Sequence, residues 1–234
     1  EGCCMIFNGR DGLDDDVVLN PSLSDLSATA EALEQRFPLL GGADFEDMAQ
    51  QLANQRGSKA SSVTCNTYHF GSSAVLCGDA AHAAGGVSGQ GVNSALVDSQ
   101  VLADCLESAM ASSSSDGSKE ERIGEALLRY SQLQVPEGKA LYDLSFGPKP
   151  KGFFLRARYL LRSAKESLWR GRLGIGKKPL QTLLTTTLTP FSEIRRDRDR
   201  YYDEPFPDIA TFNQTLAEIH QEQQRTQVKS LARS

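Results

Sequence analysis

Long apolar runs are missing from these 234 residues, and no stretch approaches the roughly 18 consecutive apolar residues that a membrane-spanning helix needs. Histidine is scarce. His69, His82 and His220 are the three present, and their spacing offers no metal-type pairing. The five cysteines (Cys3, Cys4, Cys65, Cys77 and Cys105) match no zinc pattern, and an odd number suits no closed disulfide framework. They read as buried free thiols in a reducing, intracellular compartment. The chain opens at Glu1 without a basic region followed by an apolar run, so nothing there reads as a signal peptide. A start at Glu1 fits a processed or truncated product, or part of a longer protein. Two phosphate-binding signatures are also lacking: the Gly-Lys-Ser/Thr of a P-loop and the G-x-G-x-x-G of a Rossmann turn.

What is present suffices for one or two domains, with 39% hydrophobic residues to fill a core. The net charge of −5 is unevenly spread. From Lys149 to Arg200 there are 14 Lys and Arg against 4 Asp and Glu, a local +10 that leaves −15 elsewhere. Such asymmetry suits a partner surface, either an anionic membrane or an acidic protein face; solvated helix faces are the plain alternative. Nucleic acid is not expected as a partner, because the whole chain is acidic and carries no nucleic-acid-binding motif.

Residues 3–8 read as a short strand, and Val17–Leu19 as a second. Ser22 or Ser24 is expected to cap a helix with Leu26, Ala30, Leu33 and Phe37 on its apolar face, ended by Pro38. Asp44 caps the next helix, which carries Phe45, Met48, Ala49 and Leu52. Residues 61–70 are rich in β-branched and aromatic types and read as a strand, and 74–77 as a short buried one. A glycine-rich stretch (78–91) precedes a helix over about 92–110. The run 111–118 is a flexible connection, and a long helix follows over 120–145, kinked or broken at Pro136. Gly147-Pro148 stops it. Two basic helical stretches come next, near 152–171 and 178–195, and Asp208 caps a last, polar helix that should sit exposed or bind something. In the first of the basic stretches, Phe153, Tyr159, Leu160, Leu161 and Trp169 alternate with arginines, the signature of a helix lying on a membrane surface; a core-packing helix with a solvated basic face is the alternative.

The stretch with chemical content runs Val75-Leu76-Cys77-Gly78-Asp79-Ala80-Ala81-His82, then Gly89-Gln90-Gly91-Val92-Asn93 and on to Asp98. It combines a strand, an acidic turn, a glycine loop and a helix N-terminus. Helix N-termini present backbone N–H groups and a partial positive charge, and glycines let the backbone approach closely. Asp79 is placed to accept hydrogen bonds from ligand hydroxyls. The same pattern also occurs as a mere tight connection.

Gly-Asp-Ala-Ala-His followed by Gly-Gln-Gly-Val-Asn, with Asp98 five positions past Asn93, resembles the second FAD motif of the class A flavin-dependent monooxygenases. Arg36-Phe37-Pro38, His69-Phe70, Tyr130-Ser131, Val135-Pro136, Asp143-Leu144-Ser145 and Pro190-Phe191-Ser192-Glu193-Ile194-Arg195 extend the resemblance toward the kynurenine 3-monooxygenase branch. The resemblance implies cofactor-binding roles for Gly78, Asp79, Gly89, Gln90, Gly91, Val92 and Asn93. Asp79 would face the ribityl chain, and the Gly91–Asn93 backbone the flavin's pyrimidine edge. His82 enters as a packing and turn residue, and no catalytic residue is assigned. The implied cofactors are FAD and, as co-substrate, NAD(P)H, with O₂ used to hydroxylate an organic substrate.

The implied fold is α/β (α+β): the C-terminal part of an FAD/NAD(P)-binding Rossmann-like domain, with an incomplete antiparallel sheet and a helical C-terminal tail. Residues 1–74 are its partial substrate-side sheet and helices, 75–147 the FAD-binding segment, and 148–234 the basic helical region and polar tail. The ADP-binding first half of the family pattern is not in the chain, so this chain alone is expected to be inactive. A missing N-terminal half or a protein partner should complete it, with a possible peripheral membrane contact through 152–196 and an organelle, plastid or mitochondrion, as its location. The small Ala83–Ser88 loop, and Pro148 and Arg196 at places where the kynurenine branch carries Asn and Tyr, imply a different substrate or lost catalysis. The alternative function is a non-catalytic, flavoprotein-derived subunit of a larger complex.

Overall fold

The computed structural model describes residues 7, 16–55, 61–85, 89–111, 118–148, 153, 156–161, 164–165 and 180–231. They are mostly helical, with one two-stranded antiparallel sheet, an arrangement compatible with the α/β class. The chain divides into two compact units, Glu1–Lys59 and Ala60–Ser234. The position 74/75, where the sequence suggests a boundary, falls inside a strand of the second unit.

In the first unit, Asp16 decides the local structure. Its carboxylate accepts the amides of Val18 (2.9 Å) and Leu19 (3.3 Å), and it pairs with Arg36 at 2.9 Å. Those two amides are therefore unavailable to a strand ladder, and the strand expected at 17–19 is a turn. The Arg36 hydrogen bond holds the Asp16 carboxyl below the usual carboxylate range. Helix α1 spans Leu26–Arg36 and is capped by Asp25, which accepts from the Ala28 amide at 3.2 Å. Neither serine caps it, because the Ser22 and Ser24 hydroxyls bond each other at 2.8 Å. Pro38 ends α1 as expected and opens a 3₁₀ turn to Leu40. Helix α2, Phe45–Ala53, is capped by Asp44. Val18, Ala30, Leu33 and Ala49 form the core, with Phe37, Phe45, Met48 and Leu52 packed around it. The strand expected at 3–8 lies outside the described residues except for Phe7, which is not in a strand.

In the second unit, β1 (His69–Phe70) and β2 (Ala74–Val75) form a hairpin, with His69 opposite Val75 and Phe70 opposite Ala74. The strand predicted over 61–70 is thus cut to its last two residues. Upstream, Ser62 bridges Ala84, and the Val63 and Cys65 amides bond the carbonyls of Ala83 (2.9 Å) and Ala81 (3.2 Å). The partner there is the end of a helical turn, which offers carbonyls but no continuing ladder. β2 is exposed, not buried as expected, because β1 is its one strand neighbour among the described residues.

Helices α3 (Asp79–His82), α4 (Gly91–Ala111) and α5 (Lys119–Phe146) follow. A capping box starts α5: Ser118 Oγ accepts the Glu121 amide, and Glu121 accepts the Ser118 amide. The helix runs through Pro136 unbroken, and Gly147 at φ +67° ends it. Helix α4 packs on α5, and their shared core holds Tyr68, Ala81, Cys105, Ala126, Tyr130, Val135 and Leu216. Tyr130 also donates to the Leu76 carbonyl at 3.2 Å, tying the hairpin's exit to α5.

The basic stretch expected near 152–171 is described only at Phe153, 156–161 and 164–165, all helical, and Trp169 lies outside the described residues. Within it, Phe153, Leu160 and Leu161 are exposed, while the Tyr159 ring meets Tyr201 edge-on. The second stretch is two short helices, α6 (Leu180–Thr186) and α7 (Phe191–Arg196), because Pro190 interrupts it. Leu184 and Ile194 pack with Leu144 of α5.

Arg195 is buried on α7. It stacks 3.4 Å over the Tyr202 ring, pairs with Asp143 and Asp199, and donates to the Glu204 carbonyl at 3.1 Å. Tyr202 donates to the Asp143 carbonyl at 3.0 Å, and burial pushes its phenol up to about 12.

The last helix, α8 (Ile209–Leu231), is capped by Asp208 through the Thr211 amide at 2.7 Å. One face of it is not exposed as expected: Leu216 enters the core and Gln223 is buried. Gln223 accepts the Gly71 amide (3.1 Å) and donates to the His69 carbonyl (3.0 Å), closing a polar contact that a hydropathy pattern does not register. No described helix is long and apolar enough to cross a membrane.

Candidate functional site

The strand-to-turn junction at Gly78 is where backbone and side chains converge. Gly78 sits at φ +59°, in the region that disfavours a side chain, and a Cβ there would lie 3.0 Å from the Ala95 Cβ. Its carbonyl accepts the amides of Ala81 (2.9 Å) and His82 (3.0 Å), which makes α3 a single turn. Asp79, the first residue of α3, is exposed, whereas Ala81 and His82 are buried.

The expected ligand-facing residues divide into two groups. Asp79 and Gly91 are brought together: a Cβ on Gly91 would lie 3.5 Å from Asp79 Oδ1, so the bare glycine leaves space beside the carboxylate. Gln90 is buried, and it organises the start of α4 by accepting the Ser94 amide on its carbonyl (2.9 Å) and the Asn93 side-chain amide on Oε1 (3.1 Å). Val92 points out, 75% exposed. Gly89, at φ +67°, has no described atom within 4 Å of where a Cβ would stand. Residues 86–88 of the small-residue loop lie outside the described residues.

A node outside the expected binding residues lies directly behind these groups. Asp98 of α4 is 1% exposed, and its Oδ2 accepts both the Gly78 amide (2.9 Å) and His82 Nε2 (2.6 Å). Burial pulls the His82 imidazole down, but the hydrogen bond and charge of Asp98 outweigh it and hold the group above its ordinary value. His82 packs against the Tyr68 ring, centroids 5.6 Å apart, and against Gly138 of α5, where a Cβ would come within 2.8 Å of the His82 Cβ. Burial pushes the Tyr68 phenol well up, so it stays protonated. His82 Nδ1, Asp98 Oδ1 and Tyr68 Oη have no hydrogen-bond partner among the described residues. The sequence marks Asp98 as part of a motif, yet nothing in the spacing links it to His82, sixteen residues away.

Chemically, the arrangement joins an acceptor carboxylate to the N-terminus of a 21-residue helix. The first amides of a helix have no acceptor within the helix, and its dipole favours electron-rich groups there. A polyol chain donating to Asp79, followed by a carbonyl or anionic edge at Gly91–Asn93, suits this geometry. No group of three or more His, Cys, Asp or Glu placed to hold a metal occurs among the described residues.

No protein-family model matches the chain. Among curated proteins, it is 32% identical to kynurenine 3-monooxygenase acdD of Aspergillus candidus over 149 residues, 59% of this chain and 29% of that protein. It is 41% identical to kynurenine 3-monooxygenase of Neurospora crassa over 85 residues, 36% of this chain and 17% of that protein. With kynurenine 3-monooxygenase of Caenorhabditis briggsae it shares 28% identity over 203 residues, 83% of this chain and 41% of that protein. The chain therefore spans less than half the length of each of these relatives, and over those partial stretches it is similar to kynurenine 3-monooxygenases.

Proposed function

We propose that this chain is part of an FAD-dependent monooxygenase that uses NAD(P)H and O₂ to hydroxylate an organic substrate, and that residues 75–147 contribute the Rossmann-like, flavin-binding face. The observation that carries the reading is exposed Asp79 held beside the side-chain-free Gly91 at the start of α4. When bound, flavin would supply the redox chemistry. The residues of this chain would supply its seat: Asp79 would accept from the ribityl hydroxyls, Gly78 would shape the turn that carries Asp79, Gly91 would allow close approach, and the backbone of Gly91, Val92 and Asn93 would face the pyrimidine edge. The positive end of α4 would there favour the negative charge of reduced flavin. These three relatives are named as monooxygenases, which favours this reading over that of a non-catalytic subunit.

The test is the absorption spectrum of the natively purified full-length protein beside its intact mass, followed by NAD(P)H oxidation under O₂ with candidate aromatic substrates. Flavin bands that disappear in Asp79→Ala would support the reading. A flavin-free protein of 25.4 kDa would overturn it.

The partner best suited to the 152–196 region is an anionic lipid surface, favoured by exposed Phe153, Leu160 and Leu161 among basic residues. Co-sedimentation with phosphatidylserine vesicles, lost in Leu160→Asp/Leu161→Asp, tests this. Binding unchanged by those substitutions, or none at all, would refute it.

A further inference from the structure

We infer that Asp98 and His82 are positioning residues for the exposed carboxylate of Asp79, fixing where it stands at the N-terminus of α4. The inference rests on the flavin-binding reading above and concerns how this chain holds that site in shape. Helix α3 is four residues long, too short to hold itself, because an isolated helical turn costs more order than its hydrogen bonds return. Its shape must come from its neighbours.

On one side the amides of Val63 and Cys65 hold the carbonyls of Ala83 and Ala81. On the other, a single atom, Asp98 Oδ2, takes the Gly78 amide before the turn and the His82 imidazole at its end. Asp79 lies between those two anchor points. Ala95, one helical turn before Asp98 on the same face of α4, closes on the side-chain-free Gly78. The turn that carries Asp79 is therefore locked to the helix whose N-terminus it must face. At 1% exposure Asp98 is shielded from salt, so the tie does not weaken with ionic strength as a surface pair does. The titratable groups facing His82 from the surrounding elements are Asp98 on α4, Asp79 on its own turn and Tyr68 beside its ring. Neither Asp98 nor His82 needs to touch the ligand, and both act through Asp79.

The experiment compares full-length wild type, Asp98→Asn, His82→Gln, their double variant and Leu141→Ala. The last is a core change in α5 at an apolar residue that takes no part in the hydrogen bonds of the tie. Flavin affinity is read by titrating the apoprotein with FAD. Each single variant should weaken FAD about tenfold or more at unchanged helix content, and the double variant should be no weaker than the worse single, since one shared interaction is lost. Equal weakening by Leu141→Ala, or additive effects in the double variant, would overturn the assignment.

If wild type itself takes up no flavin, the functional reading fails, and hydrogen exchange at the amides of residues 78–82 decides the positioning alone. Faster exchange in Asp98→Asn but not in Leu141→Ala supports it. Equal exchange in both overturns it.

Discussion

His69 of the hairpin and His220 of the last helix meet ring against ring, Nε2 to Nδ1 at 3.2 Å with centroids 5.4 Å apart. His69 Nδ1 lies 2.7 Å from Ser131 Oγ, and His220 Nε2 lies 2.9 Å from Gln224, so one chain of polar contacts runs from α5 through the hairpin to α8. Burial, and secondarily the neighbouring His220, lower the His69 imidazole to about 4.

That depressed value makes stability fall with acid. Between pH 6.5 and about 4 the unfolded chain binds a proton at His69 that the folded chain refuses. The contribution is therefore whole above pH 6.5 and is lost as pH falls, with a limiting slope of about 1.4 kcal/mol per pH unit for one proton. In urea denaturation from pH 7.5 to 4.5, His69→Gln should show a shallower decline than wild type. Parallel curves would contradict the assignment.

Gly138→Ala should destabilise the protein by roughly 1–3 kcal/mol despite alanine's better helix propensity, because the added methyl collides with Tyr68 and His82. Thermal melting checks this. A rise in Tm would mean that the close packing at Gly138 is wrong.

Arg195→Lys keeps the charge but loses the planar fork and the stack on Tyr202, and should cost on the order of 2 kcal/mol in urea denaturation. Tyr202→Leu should remove a comparable part of the same stability, and the two losses should not add, because they share one contact.

Ser118→Ala removes half of the capping box that starts α5 and should cost about 1 kcal/mol. Serine restored as threonine should recover most of it. Equilibrium unfolding by circular dichroism is the measurement.

The helices were legible where their signals are local. The Leu26–Phe37 spacing, the caps at Asp44 and Asp208, and the stops at Pro38 and Gly147 all act within a turn or two of the residues they govern. Legibility failed where a side chain or a distant element decides. The Asp16 carboxylate turned an apolar triplet from strand to turn, and residues 61–65 met a helical turn instead of a strand. Of the residues the motif names, the fold brings Asp79 and Gly91 together. The Asp98–His82 tie and the meaning of Gly138 exist only once α4 and α5 are folded against α3, and no period or spacing encodes them.

Helix α5 carries Pro136 and Gly138 two residues apart at its buried middle. Relative to alanine these cost about 3 and 1 kcal/mol of intrinsic helicity, and the proline also withholds the amide that the Gln132 carbonyl would take. The longest helix of the described chain thus has a middle that cannot order itself. Its central turn is a keystone: the packing of Tyr68 and His82 against Gly138, not local helix propensity, holds it in shape.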